Sequence, residues 1–331
     1  MESIGFDLQD EAVLNTLTLD VTKSSEIEGE FLEVDQVRSS IARKLGIELA
    51  GAVESERNVD GIVEMMLDAT QNYDTALTKE RLFGWHAALF PTGWSSLYKI
   101  KVGEWRSDSS GPMQVVSGAM GKEKVHFQAP DSNRIDDEIN KFLDWFENDQ
   151  ELDLVLKAAI AHFWFVTIHP FDDGNGRITR ALTDMLLARS DKSVRRFYSM
   201  SAQIRVERKL YYEKLETNQK GNSDITDWIV WFLECLINSI KSTEATFSRI
   251  LFKAEFWKIH SNTILNDRQQ KILNKMLDGF EGKLTTSKWA KINKCSQDTA
   301  LRDIQDLIKK DVLQKEASGG RSTNYELKNL L

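Results

Sequence analysis

Residues 158–180 read AAIAHFWFVTIHPFDDGNGRITR. From Ala158 to Ile168 almost every side chain is apolar, so a helix here is buried on nearly all its faces. Pro170 cannot extend that helix and turns His169 out of helical geometry. His169 is therefore expected at the end of a rigid core helix, the support a reacting side chain needs. Asp173-Gly174-Asn175-Gly176 follows and runs into a second helix from about Arg177. Glycines allow a tight bend and a close approach to a ligand. A helix start offers unpaired N–H groups and the positive end of the dipole, which together favour phosphate. Arg177 and Arg180 lie three apart and share a helix face. Their guanidinium groups suit phosphate oxygens. Asp173 is a hard oxygen ligand of the kind Mg²⁺ takes beside substrate phosphates.

Working outward, most of the chain reads as helix. Apolar residues recur at three- and four-residue spacing over 36–45, 62–67, 81–89, 135–146, 152–168, 178–188, 205–215 and 225–240. No alternation of helix and parallel strand appears, which argues against a nucleotide-binding α/β sheet. One segment departs from the pattern. The β-prone runs 114–118 and 124–127 flank a short glycine-bearing turn and predict a β-hairpin on a helical body. A linker is expected near 260–266. Beyond it, Asn266 caps a helix over 267–277, a short helix covers 287–292, and Ser296 caps a third helix reaching Lys310. Strands at 312–315 and 324–327 complete the pattern of a winged helix-turn-helix. In such folds the second helix of the motif enters the major groove. Gln297, Thr299 and Arg302 are then base-facing candidates, and Arg321 a phosphate contact. The expected domains are 1–75, 76–260 and 261–331.

Composition bounds the function classes. The chain has 331 residues, 41% hydrophobic and 28% charged, with only 4 Pro, which fits a globular protein and excludes collagen-like sequence. Its net charge of −8 is uneven. Residues 261–331 carry 13 Lys and Arg against 9 Asp and Glu; the remainder carries 30 against 42. That split hints at a C-terminal module with its own partner. Cys235 and Cys295 have no metal-ligand spacing and fit a reducing compartment. No secretory signal is visible, and the apolar run at 158–168 is too short to span a bilayer. A cytoplasmic protein without membrane contact is the expectation.

The string His169-Pro170-Phe171-Asp172-Asp173-Gly174-Asn175-Gly176-Arg177-Ile178-Thr179-Arg180 resembles the signature of the Fic family of protein adenylyltransferases, H-x-F-x-[DE]-G-N-G-R-x-x-R, at every fixed position. The resemblance implies a mainly helical core with a β-hairpin flap. It implies that His169 deprotonates a target Ser, Thr or Tyr hydroxyl, which attacks the α-phosphorus of ATP and displaces pyrophosphate. Asp173 would hold Mg²⁺ or Mn²⁺. Gly174, Asn175 and Gly176 would line the anion hole, with Ile178 and Thr179 in the same nucleotide-binding segment. Arg177 and Arg180 would hold the β- and γ-phosphates, and Phe171 would anchor the loop. Tyr211, Tyr212 and Gln219 resemble positions on the adenine side. Val115, Val116, Ser117 and Gly118 fall where the family carries its target-aligning flap. Ser24-Ser25-Glu26-Ile27-Glu28-Gly29 fits the inhibitory pattern [ST]-x-x-x-E-[GN], with Ser24, Glu28 and Gly29 at the fixed positions.

Three functions fit these residues. The first is a self-inhibited AMP transferase that modifies a target protein and itself. The second is an enzyme of the same fold that removes AMP, with Glu28 orienting water. The third is a DNA-binding regulator whose Fic core only senses nucleotide. A homodimer is left open. His86, His126, His162 and His260 lack metal spacing, and His162 reads as a satisfied core histidine.

Overall fold

The computed structural model describes residues 6–49, 51–95, 97–109, 111–118, 124–221, 223–280, 282–316 and 323–328, the side chains of 6–8 and 244–250 excepted. Residues 9–243 form one compact unit and 244–331 the body of a second.

The first unit opens with helices α1 (Phe6–Ile27), α2 (Val34–Leu45), α3 (Arg57–Gln71) and α4 (Lys79–Leu89). Two antiparallel hairpins follow, β1 (Trp94–Ser95) with β2 (Tyr98–Lys99) and β3 (Gln114–Ser117) with β4 (Lys124–Gln128). Then come α5 (Ile135–Asn148), α6 (Leu154–Ile168), α7 (Asn175–Asp191), α8 (Met200–Val206), α9 (Arg208–Gln219) and α10 (Thr226–Ile259), whose residues from 244 onward belong to the second unit. The helices α6 and α7 pack most extensively against each other and form the centre of the core. Asp153 starts α6 by accepting bonds from the Val155 and Leu156 N–H groups at 2.9 and 3.3 Å. Phe165, Ile168, Phe171, Ile178 and Leu182 are fully buried around the α6–α7 turn.

Helix α1 is part of this core. Leu14, Leu17, Val21 and Ile27 are buried in it. Its polar face is also inside. Arg196 bonds Asp184 at 2.6 Å and Asp20 of α1 at 3.2 Å, while the Ser199 hydroxyl donates to Asp20 at 2.5 Å. Burial, reinforced by the charge of Asp184, pushes the Asp20 carboxyl up to about 8. The end of α1 is closed by Gly29 at φ 87°, a left-handed conformation suited to glycine. There the Gly29 N–H donates to Glu26 O and the Glu30 N–H to Ser25 O, the paired bonds of a Schellman cap.

The expected single helix over 205–215 is two, α8 and α9, broken at Glu207. Its carboxylate accepts bonds from Gln203 and from the Trp231 ring, so the break is fixed by side-chain pairing. The β1–β2 hairpin has only two residues per strand, too short for an alternation pattern to show in the sequence.

In the second unit α11 (Asp267–Leu277), α12 (Thr286–Asn293) and α13 (Gln297–Lys309) pack with the antiparallel strands β5 (Leu313–Lys315) and β6 (Tyr325–Leu327). Asn266 and Gln269 form a capping box at the start of α11. Trp289, Ile304, Leu307 and Phe256 fill its core.

Candidate functional site

The site is built where α6 ends. His169 caps that helix at φ 51°, a left-handed conformation uncommon for a side chain of this size. The loop that holds it there is fastened from several directions. Arg106, almost fully buried, donates through Nε to His169 O at 2.7 Å, and its backbone N–H donates to Pro170 O at 2.9 Å. The Lys101 N–H donates to the Asp172 carboxylate at 3.0 Å. The Asn175 side chain accepts from Phe171 N–H and donates to Phe171 O, at 3.0 and 2.9 Å. His86 stacks on Phe171 with centroids 4.2 Å apart. Its Nδ1 accepts from the Gly103 N–H at 3.1 Å, so Nε2 carries the proton and donates to Asp173 O at 3.2 Å.

The His169 Nδ1 lies 3.2 Å from Val166 O, which fixes the tautomer: Nδ1 donates and Nε2 keeps its lone pair. Burial holds this imidazole below the usual histidine range, and the Arg106 charge pushes the same way, against Val166 O and the charges of Glu28 and Asp173. It is therefore neutral near pH 7, the state a general base requires.

Gly174 caps α7 at φ 80°, and a methyl group there would press on the ring of Phe90 at 2.9 Å. Two buried arginines stand on the side of α7 that meets Glu28 and Glu30. Arg177 lies over the Phe90 ring and bonds Glu30 at 2.6 Å. Arg180 is almost fully buried and reaches α1: Nε donates to Ser24 Oγ at 2.8 Å, and Nη2 to Ser24 O at 2.9 Å and Glu28 Oε1 at 2.8 Å. The Glu28 carboxylate fills the space over Gly176, where an added Cβ would sit 1.9 Å from Oε1. Arg180 Nη1 and Arg177 Nε are buried with no hydrogen-bond partner among the described residues. Two such donors beside a helix start call for an anion.

Glu28, His169, Gly176, Tyr211, Tyr212 and Gln219 lie around one cavity of about 900 Å³, within the size range of small-molecule sites. Val115, Val116 and Ser117 of the β3–β4 hairpin border it. The hairpin is tied to α9 through His126, which bonds Ser117 and Glu216 at 2.6 Å each. Gly118 ends β3 at φ 110°, and the turn 119–123 lies outside the described residues. Gln219 donates to Thr167 Oγ1 at 3.1 Å. The Tyr211 hydroxyl meets His162 Nε2 at 3.0 Å, and His162 Nδ1 meets Thr183 Oγ1 at 2.9 Å. The Thr183 hydroxyl donates to Thr179 O, so it accepts from His162, and Tyr211 donates to that ring. His162 is a satisfied core histidine held neutral by burial, at about 3.

Residues 76–187 match the Fic/DOC family model. The chain carries a Fic domain. Residues 1–47 match a second model, a domain of unknown function, DUF4172. A probable protein adenylyltransferase of Aquifex aeolicus is 38% identical over 61 residues, 18% of this chain and 19% of that protein. A protein adenylyltransferase Fic of Nematostella vectensis is 32% identical over 113 residues, 34% of this chain and 25% of that protein. The chain thus spans a quarter or less of these relatives. A crystal structure of a Fic family protein from Desulfovibrio desulfuricans aligns with a TM-score of 0.54 at 19% identity, covering 98% of this chain and 89% of that one. A Fic domain containing signaling protein from Bacteroides thetaiotaomicron gives the same score and identity over 75% of this chain and 93% of its own. Both support the mainly helical Fic fold.

Three residues of the Fic loop are placed as follows. Ile178 and Thr179 are fully buried, and the Thr179 hydroxyl donates to Asn175 O at 2.7 Å. The 100° turn per residue puts 176, 177 and 180 on one side of α7, the side met by Glu28 and Glu30. The Asn175 side chain is spent on Phe171, so only its backbone can serve an anion. Of the loop residues, His169 and Gly176 line the cavity together with Glu28, while Arg180 reaches Ser24 and Glu28. In the second unit Gln297 and Arg302 are exposed on α13, Thr299 is half-buried with its N–H and hydroxyl on Ser296, and Arg321 lies outside the described residues.

Residues the sequence did not single out are Arg106, His86, Ser95 and Glu30. The Ser95 hydroxyl donates to Asp173, whose other oxygen accepts from the Gly174 N–H at 2.5 Å. None of the four sits in a local pattern; each meets the loop from a distant segment.

Proposed function

We propose that this Fic domain transfers AMP from ATP to a Ser, Thr or Tyr hydroxyl of a protein, and that α1 restrains it through Glu28. The carrying observation is that a neutral His169, Glu28 and Gly176 at the start of α7 line one cavity, bordered on one side by a β-hairpin. His169 Nε2 takes the proton of the attacking hydroxyl. The hydroxyl oxygen bonds to the α-phosphorus, and the bond from that phosphorus to the bridging oxygen breaks, releasing pyrophosphate. Arg177, Arg180 and the N–H groups at the start of α7 hold the phosphate oxygens, so the chain contributes position and charge compensation. The hairpin is available to pair with a target segment by strand addition.

A half-exposed Asp173 carboxylate, held by Ser95 and the Gly174 N–H, fits one Mg²⁺ or Mn²⁺ shared with substrate phosphates. The ion would supply neutralisation of charge on those phosphates.

Glu28 lines the same cavity as His169, which supports AMP removal as a second reading: its carboxylate could orient water. Incubating the full chain with ATP labelled on the α-phosphate, and separately with AMP-modified protein, tests both. Label bound to protein hydroxyls supports transfer; label absent with AMP released from the modified protein favours removal. For the second unit we propose duplex DNA as partner, on the exposed Gln297 and Arg302 of α13.

A further inference from the structure

We infer that Glu30 is a second inhibitory carboxylate, closing the Arg177 half of the anion cradle as Glu28 closes the Arg180 half. The inference rests on the reading of the α7 start as a nucleotide site.

The two arginines stand three residues apart on one face of α7, and each is met by one carboxylate from the same turn. Glu28 bonds Arg180 at 2.8 Å and Glu30 bonds Arg177 at 2.6 Å. The turn makes this pairing possible. With Gly29 left-handed, the chain reverses over one residue, and its neighbours on both sides face α7. The two bonds of the cap, Gly29 N–H to Glu26 O and Glu30 N–H to Ser25 O, fix the turn to α1. The Ile27 carbonyl is held in addition by Arg208 Nε at 2.8 Å.

Arg177 is a cation in demand. Its side chain is 6% exposed, its Nε has no partner among the described residues, and its Nη2 is 4.0 Å from Asp173. Its remaining strong partner is Glu30, whose side chain is 37% exposed. A phosphate needs the guanidinium edge that Glu30 occupies, and it meets the same negative charge on approach. Removing Glu28 frees Arg180 and leaves Arg177 neutralised. The pattern [ST]-x-x-x-E-[GN] ends at Gly29 and so describes half of the device.

The alternative role for Glu30 is to orient Arg177 for the nucleotide. The two differ in sign. An inhibitory Glu30 weakens ATP binding; an orienting one strengthens it. Glu30→Gln keeps the shape and removes the charge.

The test uses the full chain as wild type, Glu28→Gly, Glu30→Gln and the double variant. ATP affinity is measured by calorimetry, AMP incorporation from labelled ATP is followed in parallel, and thermal melts check that each variant folds. The expected result is that Glu30→Gln tightens ATP binding at least about threefold in both backgrounds. The double variant should then exceed Glu28→Gly in incorporation at low ATP, through KM more than kcat. Unchanged or weaker ATP binding by Glu30→Gln in the Glu28→Gly background overturns the inference. Tighter binding with no incorporation by any variant supports Glu30 as a block and defeats the transferase reading instead. No ATP binding by any folded variant overturns both.

Discussion

Replacing Glu28 with glycine should raise AMP transfer, self-modification included, by about ten- to thirtyfold. Arg180 is held to α1 by three bonds, and two of them go to Ser24. Losing Glu28 therefore removes the negative charge over Gly176 while Arg180 stays in place. A charge-assisted bond contributes roughly 1.5–3 kcal/mol. The Glu28 side chain is 31% exposed, so solvent screening argues for the lower end. About 1.4–2 kcal/mol of lost inhibition corresponds to the stated factor. Part of the gain comes from alignment, since a small misplacement of the α-phosphorus costs about a hundredfold. The assay is incorporation of labelled AMP by wild type, Glu28→Gly, Arg180→Ala and the double variant. Arg180→Ala should not be rescued by Glu28→Gly, because the phosphate contact is missing in both. Equal incorporation by wild type and Glu28→Gly would refute the inhibitory reading of α1 and leave the loop assignment intact.

Asp173→Ala should lose the activity that Mg²⁺ or Mn²⁺ supports; wild-type transfer surviving exhaustive chelation would show that no metal is needed. Asp20 sits at about 8 in the fold against about 3.9 unfolded. A raised folded value means that its contribution is present below the unfolded value and lost as pH climbs through about 8. Asp20→Asn mimics the protonated form and should melt higher than wild type at pH 9, by a larger margin than at pH 6; a margin independent of pH would count against the shift. Arg302→Ala should weaken duplex DNA binding by the full chain several-fold, and wild type that fails to retain genomic fragments at low salt would remove the DNA proposal.

The loop over 169–180 was legible because its signals are local. A helix stop, a glycine turn and two arginines three apart all fall within twelve residues. The flap was legible for the same reason, through β-prone runs about a short turn. Helix α1 was not. Its buried face mixes Leu14, Leu17 and Val21 with Thr16, Thr18, Asp20, Thr22 and Ser24, so no apolar stripe marks it. Those polar groups are satisfied by their own helix or by partners far along the chain, as in Asp20 with Arg196 and Ser24 with Arg180. Arg106, His86 and Ser95 escaped for the same reason: their contacts with the loop span 63 to 87 residues.

The central claim is that His169 is the base of an AMP transfer. The direct measurement is labelled-AMP incorporation beside ATP affinity, for Glu28→Gly and for Glu28→Gly carrying His169→Ala. The proposed phosphate contacts come from Arg177, Arg180 and the start of α7, so loss of His169 should leave ATP affinity within about twofold. Incorporation should fall by at least about a hundredfold, within the range a general base supplies. Undiminished incorporation without the imidazole would contradict the account.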